Sequence, residues 1–309
     1  MPPMTPSPSA FSADTSTAAP PDDLPRLPRR RRDSSKRDYG RVVVVGGSAG
    51  MAGAPALAAM AALRSGAGLV EMLVPETVAT VAAGFDPCVM TRGLPARDDG
   101  TFASDALEEI TERVRSADAV AVGPGLGRSD AVRQIVATLW TDLRQPAVFD
   151  ADALWAVAQL DEPHRGRHDG PRVLTPHAGE MLRLLGLDPS DAADDRGSLE
   201  SAAADMARRI DAVLVLKGPG TLVVDRLHAA RNETGNPGMA TAGTGDVLTG
   251  VVAALLGQGL APFDAARLAA WIHGRAGDVA ARAVGEVSLT ARDVLDGLPA
   301  AIRAITADR

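Results

Sequence analysis

Val42-Val43-Val44-Val45, followed by Gly46-Gly47-Ser48-Ala49-Gly50-Met51-Ala52-Gly53-Ala54, is the stretch from which the fold can be read. Four consecutive β-branched residues with no polar alternation describe a strand buried on both faces. The small residues after it turn the chain, and the alanine-rich run beyond them predicts a helix. Strand, glycine loop and helix in that order are the unit of an α/β fold, and such loops at the carboxyl end of a strand are where these folds bind ligands.

Downstream of this unit the alternation continues. Strands are predicted at Leu69 to Val74, Ala119 to Val122, Ala147 to Phe149, Val173 to Leu174 and Ala212 to Leu216, with helices between most of them. After Gly220 the order changes: Thr221 to Val224 and Leu227 to Arg231 read as an antiparallel hairpin. A glycine-rich loop follows, then three helices from about Asp246, Pro262 and Thr290. Upstream, residues 1–39 are rich in Pro, Ser, Thr and Arg, too poor in large apolar side chains to offset the entropy of ordering, and are expected to form a disordered tail. The basic run Arg29 to Arg32 is read as a solvated spacer, leaving residues 40–309 as a single domain.

Composition narrows the function. A net charge of -7 argues against a nucleic-acid-binding body. A lone cysteine, Cys88, leaves no intrachain disulfide, and no Cys/His cluster has zinc spacing. No apolar run has the length of a membrane span and residues 1–28 lack the pattern of a signal peptide, so the expectation is a cytoplasmic enzyme acting on small molecules.

The glycine-rich loops carry the chemistry. Ala242-Gly243-Thr244-Gly245-Asp246 precedes the apolar helix Val247 to Leu256. Its converging N–H groups and the helix N-terminus make an anion hole. Asp246 there either takes a proton from a substrate hydroxyl or caps the helix. The unusually long run of small residues from Asn236 to Thr241 exceeds what a turn needs and favours the phosphate site. The Gly46 to Ala54 loop lacks the G-x-G-x-x-G spacing, and Glu71 lies inside its strand rather than at the end, which weakens a dinucleotide-dehydrogenase reading. No Walker A sequence occurs. Lys217, before Gly218-Pro219-Gly220-Thr221, either neutralises a nucleotide phosphate or ends its strand in solvent.

Other positions are less specific. Gly123-Pro124-Gly125-Leu126-Gly127 admits close approach of a ligand to the backbone. Asp150 and Asp152 are read as caps of a helix beginning near Ala153, ahead of a metal role. In Thr175-Pro176-His177-Ala178-Gly179-Glu180, His177 is a candidate ligand donor and Glu180 a candidate neighbour of magnesium, although a capped helix start accounts for Thr175, Pro176 and Glu180 as well. His164 and His168 are placed in a solvated loop, and His273 is read as a packed side chain within a helix.

Taken in order, GGSAGMAGA, VGPGLG, DADAL, LTPHAGEM, VLKGPGTLVV and NPGMATAGTGDVLTG resemble the ADP-dependent NAD(P)H-hydrate dehydratases over about residues 40 to 305. The resemblance implies a ribokinase-like three-layer α/β/α sandwich with a mostly parallel central sheet. It implies a lyase that restores NADH or NADPH from the S epimer of NADHX or NADPHX while ADP becomes AMP and phosphate. Carried over by position, Ala54, Gly125 and His177 contact the hydrated dinucleotide, Gly127 is an alternative loop contact, and Asp246 activates the ring hydroxyl. Lys217, Gly218, Pro219, Gly220, Thr221 and Gly245 face the adenine nucleotide, and the backbone of Gly243, Thr244 and Gly245 holds the phosphoryl group in transit. Magnesium is expected to bridge nucleotide phosphates, with no side chain assigned as its ligand. The resemblance further implies a homo-oligomer such as a tetramer and functional pairing with a separate NAD(P)HX epimerase, since no epimerase precedes Arg41. Two alternatives stand beside it: a kinase of a thiazole or pyrimidine vitamin precursor, and a silent module that senses nucleotides.

Overall fold

In the computed structural model, which describes residues 20–188 and 196–306, the chain alternates strands and helices along most of its length. The elements are β1 (Arg41–Val45), α1 (Gly53–Arg64), β2 (Leu69–Pro75), α2 (Glu76–Ala83), β3 (Met90–Leu94), α3 (Ala106–Arg115), β4 (Ala119–Val122), α4 (Asp130–Asp142) and β5 (Ala147–Phe149). They continue with α5 (Asp152–Val157), α6 (Glu162–Arg165), β6 (Arg172–Leu174), α7 (Ala178–Leu184), α8 (Arg196–Ile210), β7 (Val213–Leu216), β8 (Leu222–Val224), β9 (Ala229–Arg231), α9 (Thr244–Gly257), α10 (Pro262–Val284) and α11 (Ala291–Thr306).

One sheet contains all the strands in the order β3-β2-β1-β4-β5-β6-β7-β8-β9. Pairings from β3 through β7 are parallel, and β8 and β9 join antiparallel at one end. Alternate residues of each strand enter different cores. Val42, Val44, Met72, Ala121, Val148 and Val215 pack with α1, α9, α10 and α11 on one face. Val43, Val45, Leu73, Val122, Phe149 and Leu216 pack with α3, α4, α7 and α8 on the other. This two-sided burial is the physical reason for the continuous apolar strands, and it makes the three-layer α/β/α sandwich. The small side chains of α1 and α9 let their backbones approach closely: a Cβ on Gly250 would lie 2.0 Å from the Ala58 carbonyl oxygen.

Three features depart from the sequence reading. The strand β3 has no sequence signature: its segment Met-Thr-Arg-Gly-Leu sits at the sheet edge with only Leu94 buried, so it carries no apolar run. Within the polar segment from Asp161 to Pro171, α6 makes one helical turn. His168 there is half-buried rather than solvated: its Nε2 donates to the Ile210 carbonyl at 2.9 Å and its ring meets the edge of Trp140.

Of the expected tail, residues 1–19 lie outside the described residues, while residues 20–39 are laid against the body. Leu24 is buried, Asp23 pairs with Arg267 of α10, and Arg30 stacks on Tyr39 at 3.9 Å while donating to the Gly66 carbonyl at 2.6 Å. That carbonyl follows the C-terminus of α1, where backbone acceptors lack helical partners and the helix dipole favours a cation. Part of the basic run therefore has a structural use that its composition alone does not reveal. No helix among the described residues is long and apolar enough to cross a membrane.

Candidate active site

The loops after β1, β4, β5, β6 and β7 converge at the carboxyl ends of these parallel strands, which the sheet brings side by side, and the Asn236 to Asp246 loop comes to the same edge from β9, which runs in the direction of β7. The loops after β1 and β4 close on one another. Gly47 donates to the Pro124 carbonyl at 2.8 Å, and the Ser48 hydroxyl donates to the Gly125 carbonyl at 2.8 Å. Gly125 has φ of +63°, and a Cβ on it would lie 2.8 Å from the Met51 oxygen and 3.1 Å from the Ala54 Cβ, so Ala54 and Gly125 form one small-residue wall. Gly127, next along, donates its amide to Asp152 at 3.0 Å, and Arg128 donates to the other oxygen of Asp152 at 3.1 Å. Asp152 thus holds the Gly125 to Arg128 loop rather than capping α5.

A second cluster is built around Lys217 at the end of β7. Its ammonium lies 2.8 Å from Asp150 Oδ1 and 3.6 Å from Glu180 Oε2. The other Asp150 oxygen accepts from the Thr249 hydroxyl at 2.7 Å. Asp150 is almost wholly buried and makes no capping bond with its side chain, so the cap reading fails here too. Burial alone would disfavour both charges, but they offset one another. The Lys217 ammonium, with the Thr249 and Thr175 hydroxyls, holds the Asp150 carboxyl below its ordinary range, and the Asp150 and Glu180 carboxylates hold Lys217 above its own. Lys217 is no solvated strand-end lysine.

The anion loop meets this cluster directly. A Cβ on Gly245 would stand 3.3 Å from Lys217 Nζ and 3.6 Å from Asp150 Oδ2. Gly243, in the left-handed region at φ of +90°, is the N-cap of α9 and supplies no side-chain capping bond. The N–H groups of the first helical turn have no intrahelical acceptors, so Thr244, Gly245 and Asp246 present donors beside a fixed ammonium. Asp246 lies in that turn. Burial, then the negative charge of Asp150, pushes its carboxyl up to about 7 in spite of Lys217. A carboxylate that capped the helix by accepting amide hydrogens would be held low instead.

His177 begins α7, with its Nδ1 accepting from the Gly179 amide at 3.0 Å while Glu180 accepts from the His177 amide at 2.8 Å. The cap of this helix is therefore His177 itself. Its Nε2, 3.5 Å from Glu180 Oε1, is joined through Glu180 to the Lys217 cluster. The loop Lys217 to Thr221 is braced from behind: Arg196 donates to the Lys217 carbonyl at 3.1 Å and Arg231 to the Gly220 carbonyl at 3.0 Å. Glu200 accepts from both arginines, which outweighs its partial burial and lowers its carboxyl to about 2. Arg196, Glu200, Arg231, Asp150 in its ion pair and Thr249 were not identified from sequence. Arg196 and Glu200 pair with each other one turn apart on α8, but the Lys217 loop and Arg231 that they brace, and the partners of Asp150, are distant in the chain, and no local motif marks them.

No group of three or more His, Cys, Asp or Glu converges to hold a metal ion among the described residues. A magnesium ion carried by nucleotide phosphates needs only one or two carboxylates, and Glu180, at the edge of the cluster, fits that lesser requirement.

A family profile described as NAD(P)H-hydrate dehydratase matches residues 42–300. A bifunctional NAD(P)H-hydrate repair enzyme of Moorella thermoacetica is 48% identical over 279 residues, which are 90% of this chain and 52% of that relative, so the chain spans about half the relative's length. Among solved structures, the ADP/ATP-dependent NAD(P)H-hydrate dehydratase of Bacillus subtilis, co-crystallized with ATP and Mg2+, superposes with a TM-score of 0.74 at 29% identity, covering 89% of this chain and 93% of that one. A ribokinase-like superfamily protein of Enterococcus faecalis gives a TM-score of 0.77 at 25% identity, covering 92% and 93%. The sandwich is thus ribokinase-like, and a profile spanning nearly the whole domain, together with this level of identity, shows that the chain belongs to the NAD(P)H-hydrate dehydratase family, whose activity is that of a hydro-lyase.

Proposed function

We propose that this chain dehydrates the S epimer of NADHX and NADPHX to NADH and NADPH, using ADP as co-substrate and releasing AMP and phosphate. The observation that carries the reading is Asp246: a half-buried carboxylate in the first turn of α9, near the Lys217 ammonium, pushed up to about 7 by burial and by its neighbour Asp150. A general base works best when its pKa lies near the operating pH.

In this reading the ring hydroxyl of the hydrated nicotinamide attacks the β-phosphorus of ADP. Its proton passes to Asp246, the bond to the bridging oxygen breaks, and AMP departs. The N–H groups of Gly243 to Asp246 and the Lys217 ammonium hold the phosphoryl oxygens in transit, where preorganised donors contribute most. The ring nitrogen lone pair then expels phosphate, and the neighbouring ring carbon gives up its proton to the released phosphate or to water, which restores the double bond. Ala54 and Gly125 line the dinucleotide side, with Gly127 beyond them and His177 beside Glu180. Lys217 to Thr221 and Gly245 line the nucleotide side. Magnesium, brought with the nucleotide and met by Glu180, would neutralise phosphate charge. A separate epimerase supplying the S epimer and assembly as a homo-oligomer belong to the same proposal, the second to be read by sedimentation.

Purified protein with magnesium and either ADP or ATP is added to hydrated NADH, and dihydronicotinamide absorbance is followed together with AMP and phosphate. Recovery that depends on ADP is the expected result. A phosphorylated substrate that accumulates without recovery would instead support the vitamin-precursor kinases.

A further inference from the structure

The segment that leads into the anion loop lies along one face of α10. The Asn232 amide nitrogen donates to the Ala270 carbonyl at 3.2 Å and the Thr234 hydroxyl to the Trp271 carbonyl at 3.1 Å. The Gly235 amide and the Asn236 side chain each donate to Asp278 at 3.1 Å. Between them, Gly274 lets the two backbones touch, since a Cβ there would lie 2.6 Å from the Thr234 carbonyl carbon and oxygen. Positions 270, 271, 274 and 278 share a face by helical spacing. His273, beside that face, reaches further than the others: its Nε2 lies 2.8 Å from the carbonyl oxygen of Thr244.

A carbonyl only accepts, so Nε2 carries the hydrogen. Burial, against the pull of that same bond, holds the His273 ring down to about 4, which keeps the imidazole neutral and its tautomer fixed in the working range. Thr244 is tethered at its other side as well, its hydroxyl 3.0 Å from the carbonyls of both Met239 and Thr241. The carbonyl of Thr244 and the N–H of Gly245 belong to one planar peptide and point to opposite sides. Whatever fixes the first aims the second. Gly245 is the member of the loop that sits against Lys217 and Asp150.

We infer that His273 is a positioning residue of the reaction: by holding the Thr244 carbonyl it aims the Gly245 N–H at the phosphoryl group in transit. The inference deepens the dehydratase reading and rests on it for the identity of that group. Removing one preorganised donor to a developing oxyanion costs on the order of 100- to 1000-fold in rate, and a misdirected one should cost less, about 10- to 100-fold.

Three variants test this. In H273Q the amide nitrogen stands near the place of Nε2, H273L offers no donor, and H273N offers one too short to reach. With ADP, magnesium and hydrated NADH, H273L and H273N should lose about 10- to 100-fold in kcat with the KM for the hydrated dinucleotide changed less than about 3-fold, and H273Q should recover most of kcat. Amide exchange of the peptide spanning residues 243–247 should quicken in H273L and H273N but not in H273Q. If H273L fails to fold, H273N takes its place in the comparison. Full kcat in the donorless variants, or a Gln variant as slow as Leu, overturns the inference. Wild-type protein inactive on hydrated NADH overturns the dehydratase reading instead. Amide exchange and calorimetric ADP affinity then decide the role of His273 alone: it stands if both are impaired in H273L and restored in H273Q, and falls otherwise.

Discussion

Replacing Asp246 by Asn should silence the enzyme while making the fold more stable. The carboxyl is raised from 3.8 to about 7, first by burial and then by the charge of Asp150. At about 1.4 kcal/mol per pH unit, that difference corresponds to roughly 4 kcal/mol of unfavourable free energy when Asp246 ionises in the folded protein. The sign follows from linkage. Between the unfolded value near 3.8 and the folded value near 7, the native state holds a proton that the unfolded state has lost. Stability contributed by this group therefore falls with rising pH across that window and is level above it. Asn keeps the shape and carries no charge at any pH. Denaturant unfolding of D246N and wild type at pH 8 should show the variant more stable by about 2 to 4 kcal/mol, the lower figure allowing for water that reaches the carboxylate. The gap should narrow by about 1.4 kcal/mol for each unit below pH 7. A variant no more stable than wild type at pH 8, or a gap that ignores pH, would show that Asp246 is not a strained base. Turnover retained in D246N would remove it from the mechanism altogether.

Other outcomes follow from the same geometry. In the wild type, kcat/KM should rise about tenfold per pH unit up to about 7 and level off above, as the base form of Asp246 fills; a flat profile from pH 5.5 to 8 contradicts this. Lys217→Met leaves the Asp150 carboxylate buried without its counter-charge, so unfolding experiments should register a loss of about 3 kcal/mol, and calorimetry should show ADP binding weakened at least tenfold. Gly125→Ala forces a side chain into a left-handed backbone position 2.8 Å from the Met51 oxygen, so the KM for the hydrated dinucleotide should rise while ADP affinity stays within about 3-fold, as titration of each ligand will show. Leu24→Ala should lower stability by about 2 kcal/mol in denaturant, because its side chain is buried in the core shared by α1, α9, α10 and α11; an unchanged midpoint would mean that residues 20–39 are not held there in solution.

How far the sequence reads depends on whether the relevant neighbours lie close in the chain. Val42 to Val45 and Ala119 to Val122 announce themselves because burial on both faces leaves no polar position, and the helices from Pro262 and Thr290 follow from local punctuation. The edge strand β3 does not, since exposure on its free side permits Thr and Arg within it. The glycine loops were legible as anion or ligand sites from their residues alone. Asp150 was not: a carboxylate between a strand and a helix has the appearance of a cap, and the partners that make it a buried counter-ion stand 67 and 99 residues further on. Leu24 misleads in the opposite direction, a Pro- and Arg-rich segment being fastened by a buried leucine together with the Asp23–Arg267 pair and the Arg30 bond to the Gly66 carbonyl.

The division of the interior by the sheet bears on how the molecule tolerates change. Leu139 of α4 and Leu255 of α9 belong to separate cores with no shared packing partners, so their truncations should add in free energy rather than compound. Lineages can therefore rework the aliphatic fit of one helical layer without compensating in the other. Drift on the two sides is then free to proceed at different rates.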